Sequence, residues 1–119
     1  MSCKIAGDLV PCDVDSTLVF DESDLELEHS VEPLTVVCWG REIQVYPHWR
    51  NVKLLEKFYR RGYRPWVQSH SGEDWAEAVG KALGLDYMDP LYTRKTRYYI
   101  DDLPVEQWYG QKVYRDFKP

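Results

Sequence analysis

The sequence predicts an α/β fold, a parallel sheet flanked by helices with a small β-hairpin flap. Apolar, strand-like runs alternate with two stretches of helical period, and that alternation is the signature of a parallel sheet. Polar groups stand where three of the runs end: Asp13 with Asp15, Ser69, and Asp101 with Asp102. Ligands of such sheets bind in the crevice outside the carboxyl ends of the strands. A hydrophobic share of 44%, with five tryptophans and nine tyrosines in 119 residues, supplies one core, so residues 1–119 are read as a single domain.

The first strand is expected over about residues 7–14, ending at the aspartates. Pro11 is awkward there, because it cannot donate to a ladder. An insertion over about 19–47 follows. It opens with the acidic run DESDLELEHSVE and continues as TVVCW and EIQVY around Gly40 and Arg41, a hairpin that makes the flap. HWRNVKLLEKFYRRG then places Val52, Leu55 and Tyr59 on one stripe with Leu54 and Phe58 beside it, the period of an amphipathic helix, with Gly62 as its stop. YRPWVQ reads as a short buried strand. SGEDWAEAVGKALG reads as a second helix, Ser71 and Asp74 standing in capping-box-like spacing and Gly84 at its end. After a loop through Asp89, Pro90 and Lys95, RYYI is the next apolar strand, ending at Asp101 and Asp102. VEQWYG is read as a helical turn and KVYRDF as a final edge strand.

Composition excludes several classes. Nowhere do the ~18 consecutive apolar residues of a membrane span occur, and MSCKIAGDLVPCDVD lacks the basic start and apolar core of a signal peptide. The expectation is a soluble protein of the cytoplasm with no membrane partner. Three cysteines without CxxC spacing argue against a disulfide framework or a zinc knuckle. Cys12 adjoins an aspartate but has no histidine near it in sequence, and it is read as a small strand residue rather than a nucleophile. A net charge of −5 disfavours sequence-independent binding to duplex nucleic acid, while leaving small phosphorylated substrates open.

Four carboxylates, Asp13, Asp15, Asp101 and Asp102, gathered at two strand ends would repel one another without a divalent cation, and oxygen-only ligation points to Mg²⁺. DVDSTL (13–18), Ser69 after an apolar strand, Lys95 in a loop, and YYIDD ending at Asp102 resemble, in order, the four motifs of the haloacid dehalogenase-like (HAD) phosphohydrolase superfamily. The resemblance runs from Val10 to about Tyr114. QSHSGEDWA followed by KTRYYIDDLP is also similar to the short HAD proteins of bacteriophages, whose relatives include the phosphatase domain of polynucleotide kinase.

The resemblance implies a Rossmann-like HAD fold and a Mg²⁺-dependent phosphatase working through an aspartyl phosphate. Asp13 would be the nucleophile, and Asp15 the general acid and then the base, with a pKa raised toward neutrality. Mg²⁺ would be held by the Asp13 carboxylate, the Asp15 backbone carbonyl and Asp101, with Asp102 in support. Ser69 would donate to a phosphoryl oxygen and Lys95 would neutralise charge shared with Asp13; Thr17, Ser69, His70 and Arg94 are the candidate substrate contacts. Arg94 and Arg97 flank Lys95 and compete for the cation's role. Ser71 competes with Ser69, which is preferred because it directly follows the strand while Ser71 is needed as a helix cap. Ser16 and Thr96 replace a glycine and a proline common in the family.

Only about thirty-five residues separate the first motif from the first helix, too few for a cap of ~100 residues, so the site is expected to be open. Open sites suit phosphorylated small molecules and nucleic-acid ends alike. Trp39 and Trp49 could stack on a base or pack under the flap, and the basic residues from Arg50 to Arg64 are read as a solvated helix face. The rival to an enzyme is a non-catalytic HAD-like scaffold that binds a partner protein. The chain contains no GxxxxGK[ST] phosphate loop.

Overall fold

The computed structural model describes residues 8–21, 31–96, 98 and 100. Over these the chain is mixed α/β, with six strands and two α-helices: β1 (Leu9–Asp13), β2 (Val19–Phe20), β3 (Leu34–Cys38), β4 (Arg41–Pro47), α1 (Trp49–Arg60), β5 (Arg64–Ser69), α2 (Glu73–Ala82) and β6 (Leu91–Arg94). β1, β5 and β6 form a parallel sheet in that order, and β2, β4 and β3 form an antiparallel sheet, the flap. Among the described residues no helix is long and apolar enough to cross a membrane.

The parallel sheet follows from its sequence alternation. In β5 the buried Pro65, Val67 and Ser69 share one face, while Trp66, on the other, donates its indole N–H to Thr93 Oγ1 at 2.6 Å. Pro11 is tolerated for a reason visible in the ladder. Asp8 O and Val14 N bond across to β5, at 2.8 and 3.1 Å, so even-numbered residues of β1 turn their backbone groups toward β5. Pro11 therefore faces the other edge, where its missing N–H takes nothing from β5.

The first helix forms where its period places it. Val52 and Leu55 are buried, and Lys57 and Arg60 lie in its last turn. Its cap is His48, fully buried, whose Nδ1 accepts from Asn51 N at 3.1 Å while Nε2 has no partner among the described residues. The basic residues are surface groups: Arg60 pairs with Glu56 at 3.0 Å, Arg61 lies over Phe58, and Arg64 donates to the Asp89 carbonyl.

Four expectations need correction. The hairpin turns on Trp39 and Gly40, because Cys38 pairs with Arg41 and both turn residues have positive φ, 54° and 72°, as a two-residue turn of this twist requires. Trp39 is thus a turn residue rather than the end of a strand. The second helix starts from Gly72, with no side-chain cap, so Ser71 does not cap it. The strand after α2 is Leu91–Arg94, within the segment where the sequence reads as a loop; its pairing from Trp66–Leu91 to Ser69–Arg94 supplies the ladder bonds that fix it. Tyr98 and Ile100 are in no strand and are 89% and 98% exposed, unlike the apolar strand expected of RYYI. VEQWYG, KVYRDF and most of the acidic run lie outside the described residues. β2, which closes the flap onto β4, was not foreseen.

α2 lies against β5 and β6, with Ala76 and Val79 in the core and Gly80 close beneath the Tyr92 ring of β6. A Cβ there would overlap the ring and hydroxyl of Tyr92, whose OH donates to Asp86 Oδ1 at 2.9 Å. Gly80→Ala is therefore expected to destabilise by about 1–3 kcal/mol despite alanine's better helix propensity. Thermal unfolding checks this; adding Tyr92→Leu should restore part of the loss, and an unchanged melting temperature in the single variant would refute it.

Candidate active site

The carboxyl ends of β1, β5 and β6 bring together residues far apart in sequence. After Asp13 the chain winds around one carbonyl: Val14 O accepts from the amides of Thr17, Leu18 and Val19, at 3.2, 2.9 and 3.2 Å. Ser16, at φ 61°, makes the bend and donates its N–H to Val19 O at 2.8 Å. The winding aims Asp13 and Asp15 at different partners.

Asp13 is held from two sides. Lys95 Nζ lies 3.4 Å from its Oδ1, and Thr17 Oγ1 donates to its Oδ2 at 3.3 Å. Lys95 is placed by its own backbone N–H, which bonds Ser69 O at 2.9 Å just past β6. Arg94 turns elsewhere, its Nη1 donating to the His70 carbonyl at 3.1 Å. Of the two flanking arginines, Arg94 is thus engaged away from Asp13, and Arg97 lies outside the described residues.

Among the described residues, Asp15 accepts one hydrogen bond at each oxygen. Ser69 Oγ donates to Oδ2 and Trp75 Nε1 donates to Oδ1, both at 3.0 Å. Ser69 is fully buried, and its oxygen also accepts from Ser71 N at 3.0 Å. Its single proton is therefore directed at Asp15, and reaching a phosphoryl oxygen requires the hydroxyl to rotate. Ser71, relieved of the capping role, is exposed on the wall of the cleft. His70 is exposed beside it, with its carbonyl occupied by Arg94.

Cys12 is no competing nucleophile. Burial, with the Asp13 charge adding to it, pushes its thiol up to about 12, so the thiolate is negligible at neutral pH.

A cleft of about 480 Å³ opens between this site and the flap, bounded by Asp15, Ser71, Trp75 and, across from them, Trp39, Ile43 and Gln44. That is the size of a small-ligand site. Trp75 is the functional residue that sequence reasoning missed. Sixty positions separate it from Asp15, and its only trace is a tryptophan in the first turn of the helix after Ser69, whose indole N–H needs a partner once buried.

A magnesium site is only part-built by the described residues. No three of His, Cys, Asp and Glu gather among them to hold a metal ion; Asp13 stands with its Lys95 and Thr17 partners, and Asp101 and Asp102 lie outside the described residues. By themselves, the described side chains do not make the cation site. Comparison with protein-family models, with curated proteins and with solved structures finds no match.

Proposed function

We propose that the chain is a phosphatase of the haloacid dehalogenase-like type, hydrolysing a phosphomonoester at Asp13. The observation that carries the reading is the pairing of Asp13 with Lys95 while Asp15, two residues on, is held by Ser69 and Trp75. One carboxylate beside a fixed cation and a second kept at a set orientation match a nucleophile and a proton carrier.

In this reading an Asp13 oxygen attacks phosphorus in line, and the bond to the ester oxygen breaks. That oxygen takes the proton of a protonated Asp15 and leaves as the alcohol. Water then attacks the aspartyl phosphate, its proton passing to the Asp15 carboxylate, and phosphate departs with Asp13 restored. Lys95 offsets charge shared by Asp13 and the phosphoryl oxygens. Ser69 and the donor-only Trp75 each donate to one Asp15 oxygen, which fixes the orientation of its carboxyl group. Ser71 is the exposed alternative for contact with the phosphoryl group. A magnesium ion is part of the proposal: the Asp13 carboxylate, the Asp15 carbonyl and Asp101 would hold it, with Asp102 in support, and it would supply further charge compensation. The Rossmann-like fold without a cap domain belongs to the same proposal, supported by the parallel order β1-β5-β6 and a flap in place of a cap.

The test is release of inorganic phosphate from nucleotides, sugar phosphates and phosphorylated oligonucleotides, with and without Mg²⁺. Turnover that a chelator abolishes and Mg²⁺ restores is expected. Silence across the panel would favour the non-catalytic scaffold that binds a partner protein.

A further inference from the structure

Trp39 occupies a position that local structure does not favour. It is a bulky residue at φ 54°, in a two-residue turn where asparagine or glycine is the usual choice. Its ring stacks on Trp75, with centroids 5.8 Å apart and planes 14° from parallel, yet 51% of the residue remains exposed. Trp75 itself is buried and gives its N–H edge to Asp15. One indole thus links the candidate acid to an open aromatic surface at the flap tip, and both tryptophans line the cleft. Gln44 lines the same wall with an amide, Nε2 bonded to Thr35 Oγ1 at 3.0 Å.

We propose that Trp39 is the platform for a planar base, so that the substrate is a nucleoside phosphate whose base stacks at the flap tip while its phosphate reaches Asp13. This rests on the phosphatase reading for its chemistry, and on the tryptophan pair for its specificity. The stack covers one face of Trp39 and leaves the rest of the ring open at the flap tip, in a cleft of about 480 Å³ that Asp15 also lines and that suits a single nucleotide. Backbone strain at a bulky residue is retained where function requires that side chain. The base can come from a free nucleotide or from the terminal nucleotide of a strand, and both present the same ring next to the phosphate.

The variant Trp39→Asn separates function from folding, because it creates the Asn-Gly pair that this turn favours. Its melting temperature should equal or exceed that of the wild type. Its kcat/KM for a nucleoside monophosphate should fall about ten- to a hundredfold further than that for glycerol phosphate, as expected for loss of a base stack. Binding is read separately in the Asp13→Asn protein, where a nucleoside monophosphate should quench tryptophan fluorescence and Trp39→Asn should remove the quenching. Quenching without turnover in the wild type would overturn the phosphatase reading and uphold the platform. Equal losses on both substrates, or a melting temperature lowered by ten degrees or more, would make Trp39 a structural brace and overturn the platform. A 3′- or 5′-phosphorylated oligonucleotide compared with its mononucleotide at fixed salt assigns the source of the base: an advantage of about tenfold or more points to strand ends, and parity to the free nucleotide.

Discussion

Asp13→Asn is expected to abolish phosphate release, lowering kcat by at least ~10⁴-fold, while the protein folds as before. Asparagine keeps the shape and can still accept from Thr17, but its amide cannot form the acyl phosphate. The fold should be indifferent because the lost pair with Lys95 is part-exposed, its side chains being 37% and 32% accessible, and such pairs contribute little. Quenching a wild-type reaction with acid should leave phosphate on the peptide containing Asp13, released by hydroxylamine, and none on the variant. Activity within about tenfold of wild type, or label on another peptide, would remove Asp13 from the nucleophile's role.

Lys95→Met carries the next largest expected effect. It deletes the charge 3.4 Å from Asp13 Oδ1 while keeping a side chain of similar length. The fall in kcat should be ~10²–10³-fold, the usual effect of removing one group that stabilises transition-state charge. Arg94→Met is the control, since Arg94 is engaged with the His70 carbonyl. Its loss should be confined to KM if Arg94 contacts substrate at all. A larger kcat loss for Arg94→Met than for Lys95→Met would pass the cation's role to the arginine.

What could be read from the sequence was the part governed by periodicity. Val52 and Leu55 mark α1 because a helix buries one stripe, although Tyr59, the third residue of that period, is exposed, and the aspartates stand at the end of β1 because the apolar run stops there. The third parallel strand was misplaced. Leu91–Arg94 is four residues with no alternation of its own, and only its pairing with Trp66–Ser69 distinguishes it from a loop. RYYI carried the stronger local signal, yet Tyr98 and Ile100 face outward. Ser71 looked like a cap by spacing, but the helix begins one residue later, and the seryl amide turns instead to Ser69. The hairpin turn slipped by one position because a tryptophan in left-handed backbone runs against local preference. Trp75 was illegible for a different reason: a bond from residue 75 to residue 15 is a property of the folded chain.

The root of the flap is stitched into the aspartate loop. Val19 gives its N–H to Val14 O, takes the N–H of Ser16 at its own carbonyl and pairs with Pro47, while Leu18 O accepts from His48 N at 2.8 Å. For anyone grafting a longer flap onto this chain, the two ends of the hairpin are therefore unequal. New residues spliced between Trp39 and Gly40 would lengthen the hairpin at its tip, where the turn glycine has open space around it. A single residue added at Val19 would unthread the winding that holds Asp13 and Asp15 apart, so the same insertion leaves the aspartate loop intact at one end of the hairpin, where it moves only the Trp39 ring, and undoes that loop at the other.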